Sequence, residues 1–183
     1  MSRIGFRHVD SRYPFVRNDA DQPAARWHAE GTGPANSFAD TPAGAWAEFL
    51  RHEEIRDAAD LPGIARSLWA VELPETAYAS PALPPSVLEG DRSSYPACRA
   101  EAASLRARGA ERIEAPSAAL LPGGARGWIA NPVQHEAPGA RNGLVWILFG
   151  DASHLVGWPA VESGSPPARV LPLVRHFPSS RLR

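Results

Sequence analysis

The sequence predicts an α+β fold in which mixed β-sheets pack against two main helices. Two segments, 42–57 and 96–108, carry residues that start and stop helices, and several short apolar segments have the pattern of strands. Strands and helices do not alternate regularly, so a doubly wound parallel sheet is not indicated. The 183 residues fit a single domain with a real hydrophobic core, spanning 1–183.

The composition excludes several classes of protein. The formal net charge is -1 and all 19 basic residues are arginine, which argues against a general binder of nucleic acid or of anionic membranes. Cys98 is the one cysteine, so neither a disulfide framework nor a thiolate zinc site is expected. We interpret Cys98 as a packed helix residue rather than a nucleophile. No apolar run spans a bilayer and the N-terminus lacks the core of a signal peptide, so we expect a cytoplasmic protein. His8, His28 and His52 do not form a recognised metal-binding spacing, so we expect no metal.

The first predicted helix carries one carboxylate near its apolar face. Thr41 fits the N-cap and Pro42 the first helical position. Glu48 falls at the edge of the apolar arc, over the small residues Gly44 and Ala45, which leave space beside the carboxylate. Two interpretations remain: a carboxylate that faces a ligand, or a solvated glutamate at the helix rim. This stretch alone favours the second.

The remaining elements follow from local pattern. Pro96 opens the second helix and Gly109 closes it as a C′ glycine. Residues 74–94, rich in proline and serine, are expected to be irregular, and 177–183 to form a flexible polar tail. The predicted strands are 3–9, 37–39, 67–73, 112–121, 144–149 and 170–174, of which 144–149 is expected to be central.

Three further side chains could carry chemistry. Arg7 and Arg26 each adjoin an aromatic residue, and such arginines are often packed at the surface with the charge in water. As a pair they could instead bind a pyrophosphate through bidentate hydrogen bonds. Ser117 follows Pro116 outside any G-x-S-x-G motif, so its hydroxyl is more simply satisfied by local backbone.

Taken in order, several short motifs resemble the RES-domain family, which is named for an arginine, a glutamate and a serine. The resemblance covers approximately residues 6–149, and its specificity comes from the shared order of motifs that are individually short. The motifs are Phe6-Arg7, Ala25-Arg26-Trp27 with the glycine turn after it, Asp40-Thr41-Pro42-Ala43, Ala47-Glu48, Ala115-Pro116-Ser117-Ala118 and Asn131-Pro132.

This resemblance implies a fold like that of ADP-ribosyltransferases, in which a split sheet forms a cleft for NAD. Family members include toxins of toxin–antitoxin pairs, which hydrolyse or phosphorolyse NAD or transfer ADP-ribose to a protein, and whose partner is a helix-turn-helix antitoxin of the Xre type. By resemblance, Arg7 and Arg26 hold the NAD phosphates or the adjacent ribose. Glu48 bonds the nicotinamide-ribose hydroxyl and stabilises the developing positive charge. Ser117 helps to hold the ligand.

The chain departs from the family pattern at the expected nicotinamide subsite. The family usually has tyrosine eleven residues before the glutamate, where this chain has Ser37, followed by Phe38. Phe38 could replace the tyrosine only in a bulged strand, because neighbouring strand residues face opposite sides. His8 also stands where members often have tyrosine. Two main hypotheses follow: an NAD-consuming toxin, or a catalytically weak or inactive RES-like module that binds a nucleotide or a partner. A structural domain with coincidental motifs is the third.

Overall fold

The computed structural model describes residues 3–178, and it confirms the α+β class. Six strands form one sheet in the order β4-β7-β2-β1-β3-β8, in which every strand pairing is antiparallel, and β5 and β6 form a separate hairpin. The strands are β1 (Arg3–Asp10), β2 (Ala35–Ala39), β3 (Arg66–Leu73), β4 (Arg112–Pro116), β5 (Ile129–Ala130), β6 (His135–Glu136), β7 (Leu144–Phe149) and β8 (Gly157–Gly164).

The first helix, α1 (Pro42–His52), begins as predicted and ends earlier. The Thr41 hydroxyl accepts a hydrogen bond from the Gly44 amide at 3.0 Å, which confirms the N-cap. The predicted end near Asp57 is wrong, because Glu54 adopts a left-handed conformation with φ of 56°. The Ile55 amide then donates to the Leu50 carbonyl at 2.9 Å, closing the helix with a Schellman motif that has glutamate where glycine is usual.

Two further helices, α2 (Pro85–Leu88) and α3 (Tyr95–Ala107), follow in the chain. The bounds of α3 agree with the predicted helix 96–108 to within one residue at each end. Gly109 has φ of 90° and its amide donates to the Arg106 carbonyl, so the predicted C′ glycine is confirmed. The segment 74–94, expected to be irregular, contains α2 and a short 3-10 turn at 92–94.

The last predicted strand, 170–174, is wrong. Residues 168–173 form a 3-10 helix, and only Val174 bridges to another chain segment, at Leu120. The predicted strand 112–121 ends at Pro116, where β4 leaves the sheet. In contrast, β7 is paired on both sides, by β2 and β4, which confirms its interior position. β8 was not predicted, because its sequence, GWPAVESG, lacks an alternating pattern.

The helices cover the sheet and bury its apolar residues. Trp46 and Leu50 of α1 are 3% and 0% exposed in one core cluster, and Cys98 of α3 is fully buried in a second cluster, as expected for packing. Phe177 is also buried, so the chain is still packed where the flexible tail was predicted to begin. Residues 179–183 of that tail lie outside the described residues. Among residues 3–178 no helix is long and apolar enough to cross a membrane.

Candidate functional site

The sheet separates between β1 and β2. Within the described chain, Phe6 and Ala39 form the only Cα-paired position between these two strands. β1 is paired with β3 along its whole length, and β2 is paired with β7 along its whole length. The six strands therefore form two three-stranded halves, β4-β7-β2 and β1-β3-β8, which diverge beyond one connecting pair.

Two amide side chains fasten the chain between β1 and β2 beside this separation. Asn36 of β2 is fully buried, and its amide exchanges two hydrogen bonds with the Arg17 main chain, each 2.9 Å long. Gln22 accepts from the Ala35 amide at 3.2 Å and donates to the Arg17 carbonyl at 2.7 Å. Since buried backbone groups need partners, Gln22 satisfies one amide of β2, and both side chains satisfy the Arg17 main chain beside the separation.

A cleft of about 740 Å³ opens at this separation, a volume within the range of small-molecule sites. Residues from β1, β2, α1 and the chain between β1 and β2 line it. They bring together most of the predicted site: the lining includes Arg7, Arg26, Ser37, Phe38 and Glu48.

Glu48 lies in the wall that α1 contributes. Its side chain is 28% exposed, and the carboxylate is 3.6 Å from the His52 imidazole one turn later. Ala45 also lines the cleft, as the predicted space beside the carboxylate requires. Gly44, which was predicted to leave space beside Glu48, instead allows close packing of α1 on β2. A Cβ at this position would lie 3.0 Å from the Cβ of Ala39.

Arg7 lies on the other face of the sheet from α1. Its Nη1 donates to the Asn36 side-chain oxygen at 2.8 Å, and its guanidinium lies 5.6 Å from the centre of the Phe38 ring. Burial, assisted by the charge of Arg17, lowers the pKa of Arg7 to about 10, so the side chain remains a cation at neutral pH. Nη2 and Nε have no hydrogen-bond partner within residues 3–178, so the cation keeps donors for an anion in the cleft.

His8 points to the α1 face, where its ring lies 5.2 Å from the Phe49 ring and 6.5 Å from the Trp46 ring. Arg66 of β3 approaches it, with Nη2 3.2 Å from His8 Nδ1. Burial lowers the pKa of His8 to about 3, and the positive charges of Arg66 and Arg7 add to this effect. His8 is therefore a neutral ring in the cleft wall at physiological pH.

Arg26 lines the cleft, but its guanidinium donates hydrogen bonds to the 88–94 segment. The side chain is 9% exposed, and its guanidinium lies 4.6 Å from the Tyr95 ring centre. Nη2 donates to the Gly90 carbonyl at 2.6 Å, and Nη1 donates to the Ser94 hydroxyl at 3.0 Å and to the Leu88 carbonyl at 3.2 Å. These bonds hold the segment from α2 to α3 against the chain that precedes β2.

Ser117 lies behind the cleft wall. It is 4% exposed, and its hydroxyl oxygen accepts from the Leu120 amide at 3.2 Å and the Ala119 amide at 3.3 Å. Its flanking residues Pro116 and Ala118 line the cleft. The structure thus shows the locally satisfied hydroxyl that is the simpler interpretation of this serine.

Comparison with models of protein families identifies the family of this chain. A model of the RES domain matches residues 2–143, more than three quarters of the chain. The chain belongs to the RES-domain family. A comparison with curated proteins finds no match.

A solved structure also has a fold similar to that of this chain. It is described as the crystal structure of the M. tuberculosis MbcT-MbcA toxin-antitoxin complex, and the match has a TM-score of 0.56 at 14% sequence identity. The match covers 88% of this chain and 86% of the other. At this identity the likeness concerns the fold alone.

Ser37, eleven residues before Glu48, lies open in this cleft. Ser37 is exposed, whereas Phe38 is 1% exposed and packs into the opposite face of the sheet with Val71 and Trp146. β2 keeps a continuous one-to-one register with β7 and so contains no bulge. Phe38 therefore does not present its ring on the side that Ser37 faces.

Sequence reasoning missed three residues that shape this RES cleft. Asn36 and Gln22 sit in stretches with no motif, and their importance depends on which backbone groups the fold leaves unpaired. Arg66 is distant in sequence from His8, and their contact exists only because β3 pairs with β1. One signal was available for Asn36: it is a polar residue inside a short apolar strand.

Proposed function

We propose that this RES domain is an NAD-consuming toxin that cleaves the bond between nicotinamide and ribose. The observation that carries the proposal is the cleft at the β1–β2 separation, which is lined by the cation of Arg7 and the carboxylate of Glu48. NAD is a dianionic pyrophosphate joined to a ribose that gains positive charge as nicotinamide leaves. A cation and a carboxylate in one cleft match these two features.

The proposed reaction breaks the C–N glycosidic bond. The electron pair of that bond goes to the nicotinamide nitrogen, which loses its positive charge, and the ribose carbon becomes electron-poor. Glu48, held on a rigid helix, stabilises this charge and accepts a hydrogen bond from a ribose hydroxyl. An acceptor then attacks the ribose carbon and gives up a proton: water yields ADP-ribose, phosphate yields its phosphate ester, and a protein side chain yields an ADP-ribosylated protein.

The other predicted residues receive roles that fit their contacts. We assign Arg7 to the pyrophosphate, because its free donors reach the cleft. Arg26 shapes the cleft by holding the 88–94 segment, since its guanidinium donates to that segment. Ser117 supports the wall formed by Pro116 and Ala118. Ser37 and Phe38 border the nicotinamide subsite from the two sides of β2.

We further propose that the chain acts in the cytoplasm and has an antitoxin partner of the Xre helix-turn-helix type. Support comes from the RES family and from the M. tuberculosis fold neighbour, which is described as part of a toxin-antitoxin complex. A neighbouring reading frame that encodes a small helix-turn-helix protein, and that forms a complex with this chain when co-expressed, is the expected finding. A chain that shows no toxicity when expressed alone would contradict the toxin role.

The deciding experiment incubates purified protein with NAD, with and without phosphate, and separates the products by chromatography. The expected result is nicotinamide release that is lost in Glu48→Gln. The second product identifies the acceptor as water or phosphate, and ADP-ribose found on protein would identify transfer. NAD loss at the parental rate in Glu48→Gln would exclude the proposed role of this carboxylate.

A second candidate function is a module that binds NAD or a related nucleotide without turnover. The exposed Ser37 favours it, because serine offers no ring to hold nicotinamide. Saturable NAD binding that depends on Arg7, with no release of nicotinamide, would support this candidate over the enzyme.

A further inference from the structure

His8 stands across the cleft from the position where the ring is missing. Phe6 pairs with Ala39, so the antiparallel register places His8 opposite Ser37 just where the strands part. Both residues line the cleft, and Glu48 lines it from α1. The His8 ring therefore borders the space beside the carboxylate that the reacting ribose would occupy.

The contact with Arg66 fixes which nitrogen of His8 carries the proton. A guanidinium can only donate hydrogen bonds, so His8 Nδ1, at 3.2 Å from Arg66 Nη2, must accept. A neutral imidazole that accepts at Nδ1 has its proton on Nε2. No group within residues 3–178 accepts from Nε2, and this nitrogen is not among the fully buried unpartnered atoms. It is an N–H donor open to the cleft.

The surroundings of His8 also oppose a second proton. Arg7 on its own strand, Arg66 on β3 and His52 on α1 all act against protonation, and burial acts in the same direction. The His8 ring lies nearly parallel to that of Trp46, at 6.5 Å, and edge-on to that of Phe49, at 5.2 Å. The ring is thus an oriented, uncharged donor whose form does not change through the physiological pH range.

We propose that His8 binds the nicotinamide group of the substrate, donating from Nε2 to the carboxamide oxygen, and that Arg66 is the positioning residue that sets this tautomer. The inference rests on the proposed function. It supplies a recognition group for the leaving base that serine at position 37 cannot supply. An uncharged donor suits this role, because nicotinamide leaves as a neutral molecule whose carboxamide oxygen is an acceptor throughout the reaction.

The tautomer is tested by long-range proton–nitrogen NMR of protein labelled in its histidines, with His8→Gln identifying the His8 signals. The expected spectrum shows neutral His8 protonated at Nε2 from pH 5 to 8. Arg66→Met removes the donor to Nδ1, so the Nδ1–H form or the imidazolium should then appear. Arg66→Lys keeps a donor and should keep the parental tautomer. A parental His8 that is protonated at Nδ1, or that titrates near pH 6.5, would overturn the inference.

Binding is measured by calorimetry in the Glu48→Gln background, where the proposed function predicts that NAD is not consumed. Replacing His8 with Phe keeps a ring but removes the donor, and we expect about tenfold weaker binding of NAD. His8→Gln places an amide N–H near the Nε2 position and should bind within about threefold of the parent. ADP-ribose, which lacks nicotinamide, is the matched ligand and should bind all three proteins equally.

The outcomes separate this inference from the proposed function. NAD binding that is unchanged by His8→Phe, or an equal loss of ADP-ribose binding, would overturn the contact with nicotinamide and leave the NAD cleft in place. Failure of both the parent and the Glu48→Gln protein to bind ADP-ribose, with the fold intact by circular dichroism, would overturn the proposed function and this contact with it.

Discussion

The Cα pairing of Phe6 with Ala39 joins the two halves of the sheet at the edge of the cleft. Beyond it, Arg7 turns to one face of the sheet and His8 to the other. A ligand that enters the separation can therefore meet side chains from both faces, which a closed sheet would not permit. This geometry gives the cleft its mixed lining of a cation, a carboxylate and aromatic rings.

The first prediction concerns the carboxylate. Glu48→Gln should lower the rate of nicotinamide release by about 100-fold or more, because the amide cannot stabilise a developing positive charge with a full negative one. Its melting temperature should stay close to that of the parent, since within residues 3–178 the carboxylate has a polar contact only with His52, at 3.6 Å, at the cleft wall. Glu111→Gln, at an exposed glutamate in a surface pair with Arg112, is the matched control and should keep parental activity.

A second prediction separates Ser37 from Phe38. Ser37→Tyr should raise nicotinamide release, because the new ring would enter the cleft from the exposed side of β2. Phe38→Ala should instead lower the free energy of unfolding by about 3–5 kcal/mol, since it empties a buried core site. Chemical denaturation and product chromatography together check both. A lower activity in Phe38→Ala with no loss of stability would show that this ring contacts the ligand after all.

The third prediction contrasts two arginines that donate to the same carbonyl oxygen, that of Gly90. Arg26→Met removes several hydrogen bonds to the 88–94 segment, and we expect the free energy of unfolding to fall by about 2–3 kcal/mol. Arg51→Met should change it by less than about 1 kcal/mol, because Nε and Nη1 of Arg51 are buried with no partner in residues 3–178. Urea denaturation of both variants gives the comparison. Equal losses would mean that Arg51 has partners such as ordered water.

Asn36 provides a fourth prediction. Asn36→Ala removes the acceptor of the Arg17 amide and of Arg7 Nη1 and one of the two donors to the Arg17 carbonyl, so the free energy of unfolding should fall by about 2–4 kcal/mol. NAD binding should weaken as well, since Arg7 loses its support. Asn142→Ala removes one exposed hydrogen bond to the Gly123 amide and is the control, with a change below about 1 kcal/mol. A variant as stable as the control would show that the bonds of Asn36 to Arg7 and Arg17 do not stabilise the fold.

The last prediction concerns the dependence of stability on pH. His8 has a pKa of about 3 in the folded chain and an ordinary value near 6.5 when unfolded. The unfolded chain therefore binds one more proton between these values, and the stability contributed by neutral His8, complete above pH 6.5, is lost as pH falls toward 3. The slope due to His8 is at most about 1.4 kcal/mol per pH unit. His8→Phe should flatten the curve of unfolding free energy against pH in this range, as urea denaturation at several pH values would show.

Local signals in the sequence were enough for the elements that begin or end on a specific residue. The N-cap at Thr41, the C′ glycine at 109 and the apolar run of β7 were all predictable, because each depends on neighbours along the chain. The early end of α1 was not, since glutamate at position 54 takes a conformation for which sequence favours glycine. β8 was also not predicted, because it is a strand through its pairing with β3 and its sequence has no alternating apolar pattern.

For the candidate site, the family motifs located the cleft but not the direction of each side chain. Arg7, Ser37 and Glu48 line the cleft as expected. Arg26 and Ser117 were expected beside the ligand as well, yet their polar atoms bond mainly to the protein. Which way a buried arginine turns depends on carbonyls such as that of Gly90, more than sixty residues away, and no local pattern reports such a contact.

The single strand pair at Phe6 and Ala39 has a consequence for cooperativity. Two three-stranded units joined by so little hydrogen bonding should open against each other at a lower free energy than either unit unfolds, and amide hydrogen exchange would detect this as early exchange at the facing edges of β1 and β2. A ligand that contacts both units would act as a cross-link between them. Ligand binding should therefore raise the free energy needed to separate the two units, and separation of the units should release the ligand.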